Sequence, residues 1–288
     1  MHDTTRPGEL RDVGCELVFD VTEPSLLAMQ IAPATTSGTV IEERLEITDG
    51  HGATILPSAE VPTEHGGRIH LVPAARGILS IHYTAALRAG AAPAFAPGPD
   101  RDGETTTLEA IVALRQSRYC PSDALVGFAM TEFTDVVGDT PGAIALRVAS
   151  WVFERLAYAP GSSGPLDNAV DTLVGGSGVC RDFAQLAITL CRALGVPARL
   201  AAVYAPGLAP MDFHAVVEVL TAAGWQVLDP TRLAPRGALV RIATGRDAAD
   251  TAFATTLRGT AELMASMVFA SSDGDLPADD HDQPLPLA

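Results

Sequence analysis

One cysteine of this sequence lies where a helix is expected to begin. Cys180 follows Gly178 in the segment GSGVCRDFAQLAITLCRALGVPARL, residues 176–200, whose apolar residues recur at helical spacing. In the first turn of a helix, unpaired backbone N–H groups and the positive end of the helix dipole favour a thiolate. The same donors would stabilise an oxyanion formed at the sulfur. Cys180 is therefore a candidate nucleophile, with burial in the core as the ordinary alternative for a lone cysteine.

A candidate base and a third polar partner lie on two short runs farther along the chain. His214 interrupts the apolar run DFHAVVEVL, and Asp229 ends the run WQVLD. If residues 221–224 close a β-hairpin, the numbers of facing residues sum to 445, so that Val216 faces Asp229. His214 and Asp229 then lie diagonally on one face of the sheet, within reach of each other. A two-residue or four-residue loop keeps His214 and Asp229 on the same face, whereas a three-residue loop places them on opposite faces.

Together these three side chains predict nucleophilic catalysis by a thiol. His214 would accept the proton of Cys180 and return it to the leaving group, while Asp229 would orient the imidazole and stabilise its charged form. Taken alone, His214 fits a structural role as well as a catalytic one, and an Asp before a Pro is often a turn former. Cys191 lies about 16 Å farther along the same helix by the 1.5 Å rise per residue, so it is expected in the core.

The elements that must position these side chains follow an N-terminal β region. Apolar and polar residues alternate over most of residues 15–83, with turn residues between the runs, which predicts an antiparallel β-sandwich. Residues 89–104 are typical of a long loop. Helices are predicted from Ser122 to about Asp135 and from Thr140 onwards, where a cap precedes Pro141. Strands are predicted at 199–204, 213–220, 225–229 and 264–270, which makes the second half α+β.

Three segments resemble the core of the transglutaminase-like superfamily: GVCRDFAQLAITLCRALGVPARL, DFHAVVEVL and WQVLDPTR. Members of this superfamily are papain-like thiol enzymes with Cys, His and Asp in that chain order. The segments LRQSRYCPSD (114–123) and ATGRDAADTAFA (243–254) are similar to a bacterial subgroup with an N-terminal β-sandwich. The resemblance implies Cys180 as nucleophile, His214 as general base and Asp229 as the residue that orients it.

The resemblance also implies a division of the chain into three regions. We expect a β-sandwich domain over residues 12–115 and a papain-like, transglutaminase-core domain over residues 116–270. Residues 271–288 carry five Asp and no basic residue, a composition that predicts a disordered acidic tail.

Four further residues are weaker candidates for the site. A second oxyanion donor is expected upstream of the helix, and Tyr158 and Ser162 lie in the preceding loop. Arg181 and Asp182 directly follow Cys180. An ion pair at the start of the helix is their simpler role, and shaping the site is the alternative.

The sequence departs from animal transglutaminases, in which Trp follows the Cys and calcium-binding segments are present. Arg181 follows Cys180 here, and no calcium loop of the alternating-Asp type is seen. The expected function is thus a cysteine-dependent hydrolase or acyl transferase. It would act through a thioester on a peptide or protein amide, with no metal and no organic cofactor. A protein-glutamine γ-glutamyltransferase with an amine acceptor and a non-catalytic binding module stay open as alternatives.

Composition excludes several other classes of protein. The 288 residues carry a net charge of −16, and all 19 basic residues are Arg. An acidic chain without a basic cluster is a poor candidate for binding nucleic acid or an anionic membrane. No apolar run approaches the ~20 residues of a membrane span, and no signal-peptide pattern opens the chain. Four dispersed cysteines without a CxxC pair favour a reducing, cytoplasmic compartment. The oligomeric state is left open.

Overall fold

The computed structural model describes residues 8–90 and 107–287. Within these ranges the chain forms a six-stranded antiparallel sheet, a four-stranded antiparallel sheet and a short parallel pair. The loop predicted over residues 89–104 falls, from residue 91 onwards, outside the described residues. The predicted α+β class is confirmed.

The six-stranded sheet is centred on one long strand. Its strands are β1 (Leu10–Met29), β2 (Gly38–Asp49), β3 (Ala59–Pro62), β4 (Arg68–Ala74), β5 (Gly77–Ala89) and β12 (Ala254–Ser272). β1 pairs with β5 and then β4 along one edge, and with β12 along the other edge. Alternate residues of β1, including Cys15, Leu17 and Phe19, are buried, as their spacing predicts. The antiparallel β region is thus one curled sheet.

β12 brings the C-terminal part of the chain back to the N-terminal sheet. The sequence predicts a strand at residues 264–270, and the structure extends it to Ala254–Ser272. Periodicity indicates that a segment is a strand, but it does not indicate which strand it pairs with. The division between a β domain and a core at residues 115/116 stays a prediction.

Six helices and the remaining strands form the rest of the described chain. They are α1 (Leu108–Leu114), α2 (Val126–Glu132), α3 (Pro141–Arg155), β6 (Ala157–Tyr158), α4 (Ala169–Gly175), β7 (Ser177–Gly178), α5 (Cys180–Ala193), β8 (Ala198–Tyr204), β9 (His214–Thr221), β10 (Gly224–Leu228), β11 (Val240–Gly245) and α6 (Ala248–Thr251). The cap predicted for α3 is confirmed, since the Thr140 side chain accepts a hydrogen bond from Ala143 N–H. The helix predicted from Ser122 is divided into α2 and two flanking 3₁₀ turns, and the backbone leaves helical geometry at the buried Phe133.

The four-stranded sheet, in the order β10-β9-β8-β11, has a different neighbour on each face. Ala215, Val217 and Val219 of β9 pack in one core with α5 and α3. On the other face, Val203 and Val216 pack in a separate core with Leu285 and Leu287 of the C-terminal segment. His214, Val216 and Glu218 point to this second face because side chains alternate along a strand. The sheet is therefore covered on both sides, which fits its almost continuous burial.

The acidic C-terminal segment differs from its predicted disorder. Asp273 still bonds to Leu10 of β1, whereas residues 279–287 lie against the second face of the four-stranded sheet, where Leu285 forms a β-bridge with Val227 of β10. Asp279 makes an ion pair with Arg236, whose side chain is 1% exposed. Composition predicts disorder from charge and proline content, but it does not show that one carboxylate has a buried arginine as its partner.

A buried charge cluster holds β8, β9 and β11 together on this face. Glu218, which is 0% exposed, accepts two hydrogen bonds from Arg241, at 2.8 and 2.7 Å, and one from Arg199 at 2.8 Å. Burial alone would raise the pKa of Glu218, but the two guanidinium groups lower it from 4.5 to about 2. The Arg199 guanidinium also lies 3.7 Å from the centroid of the Trp225 ring.

Replacing Glu218 with Gln should destabilise the fold by roughly 3–5 kcal/mol, because two buried guanidinium groups lose their counter-charge. Urea unfolding at pH 7 measures this change. The lowered pKa implies that the contribution is complete above pH 4.5 and is lost as the pH falls towards 2. As the pH falls from 4.5 to 2, the free energy of unfolding should therefore decrease less in Glu218→Gln than in the wild type. Glu42→Gln, at an exposed site on β2, is the matched control and should change stability by less than about 0.5 kcal/mol.

Candidate active site

The β9–β10 hairpin has the predicted register. Thr221 pairs with Gly224 and Val217 pairs with Leu228, so facing numbers sum to 445 as expected. The loop has two residues, and Gly224 has φ +97°, a left-handed conformation that glycine adopts at little cost. This register places the side chains of His214 and Asp229 on the same face of the sheet.

His214 and Asp229 form a buried hydrogen-bonded pair. His214 Nε2 lies 2.9 Å from Asp229 Oδ2, and both side chains are 0% exposed. The second carboxylate oxygen, Oδ1, accepts hydrogen bonds from the backbone N–H and the hydroxyl of Thr231, at 2.9 and 2.7 Å. Thr231 fixes the carboxylate from one side, so Asp229 can orient the imidazole from the other.

The two groups stabilise each other's charged forms. Burial alone would lower the pKa of His214, but the charge and hydrogen bond of Asp229, with a contribution from Cys180, raise it to about 10. Burial acts in the opposite sense on Asp229, and His214 together with Thr231 lowers the pKa of its carboxyl group. In a site with little water, this favours an imidazolium beside a carboxylate.

Cys180 lies at the first position of α5, next to His214. Its side chain is partly exposed, and Sγ lies 3.9 Å from the carbonyl oxygen of Phe213. The Nδ1 atom of His214 is buried without a hydrogen-bond partner in the described chain, and the thiol contributes to the raised pKa of that imidazole. The structure thus brings Cys180, His214 and Asp229 together, in an arrangement that can transfer a proton from sulfur to imidazole. Their catalytic roles stay predictions.

The other three cysteines lie in a different environment. Cys15, Cys120 and Cys191 are buried, and burial raises the pKa of each thiol to about 12. Cys191 packs in the core between α5 and the four-stranded sheet, as its helical spacing predicts. Cys180 is therefore the one cysteine of the four that is both accessible and next to a base.

The residues that flank Cys180, which are Val179, Arg181 and Asp182, form the start of α5. The Asp182 carboxylate accepts a hydrogen bond from Val179 N–H at 2.8 Å and so caps the helix. A Cβ atom at Gly178 would lie 2.6 Å from the Cβ of Asp182, so the close approach of the two residues requires glycine. Asp182 also pairs with Arg181, at 3.0 Å. Both residues thus have the structural role that the sequence favours.

Arg181 additionally fixes the loop that precedes α4. One of its terminal nitrogens, Nη2, donates to Ser163 Oγ at 2.6 Å and to the Gly164 carbonyl at 2.9 Å. The loop therefore has a defined position relative to Cys180, and Arg181 shapes the site through this loop.

The two candidate oxyanion donors have different positions. Tyr158 pairs with Gly178 in the short β6–β7 ladder, two residues before Cys180, so it lies near the start of α5 and feels the Cys180 side chain. Burial and the neighbouring thiol raise the pKa of Tyr158 to about 12, so the phenol keeps its proton. Ser162 is exposed, and its hydroxyl donates to Ala159 O within a turn. The structure thus places Tyr158 at the sulfur and leaves Ser162 in the turn.

Sequence reasoning missed two contributors to the site. Thr231 follows Asp229 by two residues, and an Asp two residues before a backbone donor is the signature of an Asx turn, so this contact was predictable. Ser163 has no comparable signal, because its partner Arg181 lies 18 residues away and is brought near by folding.

In the part of the chain that the structure describes, no three His, Cys, Asp or Glu side chains are grouped so that they could hold a metal ion. None of the described helices has the length and apolar character needed to cross a membrane.

Comparison with known proteins gives matches in sequence and in structure. The model of the family described as "Transglutaminase-like superfamily" matches residues 132–230. The crystal structure of a candidate cysteine protease from Cytophaga hutchinsonii is 32% identical, covers 96% of both chains and superposes with a TM-score of 0.83. The periplasmic domain of TgpA from Pseudomonas aeruginosa is 19% identical over 76% of this chain and 87% of that domain, with a TM-score of 0.37.

A curated relative, an uncharacterized protein of Mycobacterium leprae (strain TN), is 30% identical over 124 residues. This match covers 39% of the present chain and 43% of the relative, so it spans less than half of that protein's length.

Iodoacetamide at neutral pH should alkylate Cys180 at least about a hundred times faster than the other three cysteines, because only its thiol is accessible and next to a base. Peptide mapping by mass spectrometry after timed quenching measures the four rates separately. Cys180→Ala is the control and should leave the folded protein almost unlabelled. Faster labelling of Cys191 than of Cys180 would contradict the geometry described here.

Proposed function

Because this chain belongs to the transglutaminase-like superfamily of thiol enzymes, we propose that it is a cysteine-dependent amide-bond hydrolase or acyl transferase. Cys180 is the proposed nucleophile, His214 the general base and acid, and Asp229 the residue that orients the imidazole. The proposal rests chiefly on one observation: His214 has Nε2 bonded to Asp229 at 2.9 Å and Nδ1 unpaired beside the Cys180 thiol.

In the proposed acylation step, His214 Nδ1 accepts the proton of the Cys180 thiol, and the thiolate attacks the carbonyl carbon of a peptide or side-chain amide. The C–N bond then breaks, the amine leaves with the proton held by His214, and a thioester remains on Cys180. Asp229 stabilises the imidazolium throughout, because its carboxylate is buried and already bonded to Nε2.

The oxyanion of the tetrahedral intermediate needs donors near the sulfur. We propose the backbone N–H of Cys180 and the hydroxyl of Tyr158 for this role. The proximity of the two groups and the raised pKa of Tyr158, which keeps the phenol protonated, support the assignment. In the second step water or an amine attacks the thioester, and His214 accepts a proton from the incoming group.

The substrate is proposed to be a peptide or a protein with an accessible amide group. The Cytophaga hutchinsonii structure, matched over 96% of both chains, is described as a candidate cysteine protease and supports this class. Nucleic acid is not proposed as a partner, given the net charge of −16. Four free cysteines, three of them buried, support a reducing compartment such as the cytoplasm.

Replacing Cys180 with Ala should abolish amide hydrolysis, with a loss of kcat/KM of at least about a thousandfold, because no other group can form the thioester. Asp229→Asn should lower kcat by about 10²–10⁴-fold, since the imidazole loses its charged partner. Release of amine from a mixed peptide library measures both effects. Asp139→Asn is an exposed control on the turn before α3, and the same losses in this variant would count against the assignment.

Two measurements on one reaction mixture distinguish hydrolysis from transfer to an amine. A glutamine peptide is incubated with a labelled primary amine, and free ammonia and incorporated label are both measured. Ammonia without label identifies a hydrolase, whereas label in the peptide identifies a γ-glutamyltransferase. If neither product forms and Cys180→Ala binds the same peptides as the wild type, a binding module becomes the better description.

A further inference from the structure

Residues 276–287, here called the C-terminal brace, lie on the sheet face that carries His214 and Asp229. The brace contacts β10 at Val227, two residues before Asp229 on the same strand, through a β-bridge from Leu285. β10 is the edge strand of its sheet, with β9 as its single neighbour in the sheet order. The brace therefore satisfies backbone groups that an edge strand would otherwise leave open.

Arg236 is the anchor of the brace. Its Nε and Nη2 atoms bind the two carboxylate oxygens of Asp279, at 2.9 and 2.6 Å, and its backbone N–H donates to the same carboxylate at 2.8 Å. Its Nη1 atom donates both to Val227 O on β10, at 3.1 Å, and to Gln283 O on the brace, at 2.9 Å. One buried guanidinium thus ties the brace to the strand that ends in Asp229.

The brace also closes an apolar layer beside the His214–Asp229 pair. Leu285 and Leu287 are 9% and 2% exposed and pack in one cluster with Val216 and Val227. Val216 lies between His214 and Glu218 on β9, so this cluster is the next layer of side chains along the sheet. The brace therefore contributes to the complete burial of both members of the pair.

One histidine of the brace lies close enough to Asp229 to feel the charge of its carboxylate. His281 of the brace is 13% exposed, and its Nδ1 has no hydrogen-bond partner among the described residues. Burial chiefly lowers the pKa of His281, and the charges of Asp229 and Arg232 also reach it. The groups around the pair are then Cys180 and Tyr158 on the helix side, Asp212 before β9, and His281 with Arg232 near the brace.

We propose that the C-terminal brace is a positioning element of the active site, in which the Arg236–Asp279 pair holds β10 and excludes water from His214 and Asp229. This inference rests on the proposed function, because it assigns the brace to the thiol chemistry of Cys180. It differs from an inhibitory tail, since the contacts are with the strand behind Asp229 and not with Cys180. Detaching the brace should therefore lower the reactivity of Cys180 rather than increase it.

The physical consequence concerns the thiolate–imidazolium pair of Cys180 and His214. Water that reaches His214 and Asp229 raises the local dielectric and weakens the interactions that keep the imidazole charged. The imidazolium then stabilises the Cys180 thiolate less, so alkylation of Cys180 slows on the acid side of its pH profile.

Asp279→Asn in the full chain tests this inference, with the rate of Cys180 alkylation by iodoacetamide measured from pH 3 to pH 10. On the acid side of the profile, the rate constant should fall by about tenfold at equal pH, because the thiolate loses part of its stabilisation by the imidazolium. Leu285→Ala should lower the rate constant in the same way and keeps the Arg236 ion pair. Asp275→Asn is the matched control: it removes an exposed carboxylate one residue before the brace and should leave the profile unchanged.

Circular dichroism at each pH confirms that the compared variants are folded, and Asp279→Glu, which keeps the charge, should recover part of the rate. Wild-type profiles in both Asp279→Asn and Leu285→Ala would overturn the inference, as would faster alkylation or turnover in either variant. Wild-type alkylation of Cys180 no faster than that of the three buried cysteines would instead contradict the proposed function, so the two failures are distinguishable.

Discussion

The hydrogen bond between His214 and Asp229 joins two side chains that are fully removed from water. A buried carboxylate and a buried imidazole are each costly to charge alone, and together they stabilise one another as an ion pair. Three features of the surrounding structure meet this requirement. The register of the β9–β10 hairpin places both side chains on one face of the sheet, and Thr231 binds the second carboxylate oxygen. The apolar layer of Val216, Val227 and Leu285 keeps out solvent. Cys180 then needs only to reach the unpaired nitrogen of the ring.

The start of α5 imposes a second constraint, because several groups must meet there at short range. Asp182 caps the helix, Gly178 leaves room for it, and Arg181 connects the cap to the loop that carries Ser163. The parallel β6–β7 pair brings Tyr158 to the same point. A thiol in the first turn thus has a fixed backbone and a helix dipole that favours its anion. The same residues that form the helix terminus also form the site.

Local patterns predict much of this arrangement. Helical spacing places Cys180 at a helix start, and strand alternation with a two-residue loop places His214 and Asp229 diagonally on one face, because both rules depend only on short-range geometry. Contacts between distant segments are not predictable in this way. The return of β12 to β1 and the docking of Asp279 on Arg236 depend on tertiary packing, for which one sequence carries no periodic signal. The acidic composition of residues 271–288 even favours the opposite expectation, since it does not distinguish a carboxylate in solvent from one that neutralises a buried arginine.

In the proposed reaction, the acyl group of the amide is transferred to the sulfur of Cys180. Rapid acid quenching of the protein during turnover of a glutamine-containing or peptide amide, followed by mass spectrometry of the fragment that contains Cys180, tests this directly. A mass increase equal to the acyl group, found on that fragment and lost on treatment with hydroxylamine, is the predicted result. Turnover that proceeds without any adduct, at an equal rate in Cys180→Ala, would contradict it.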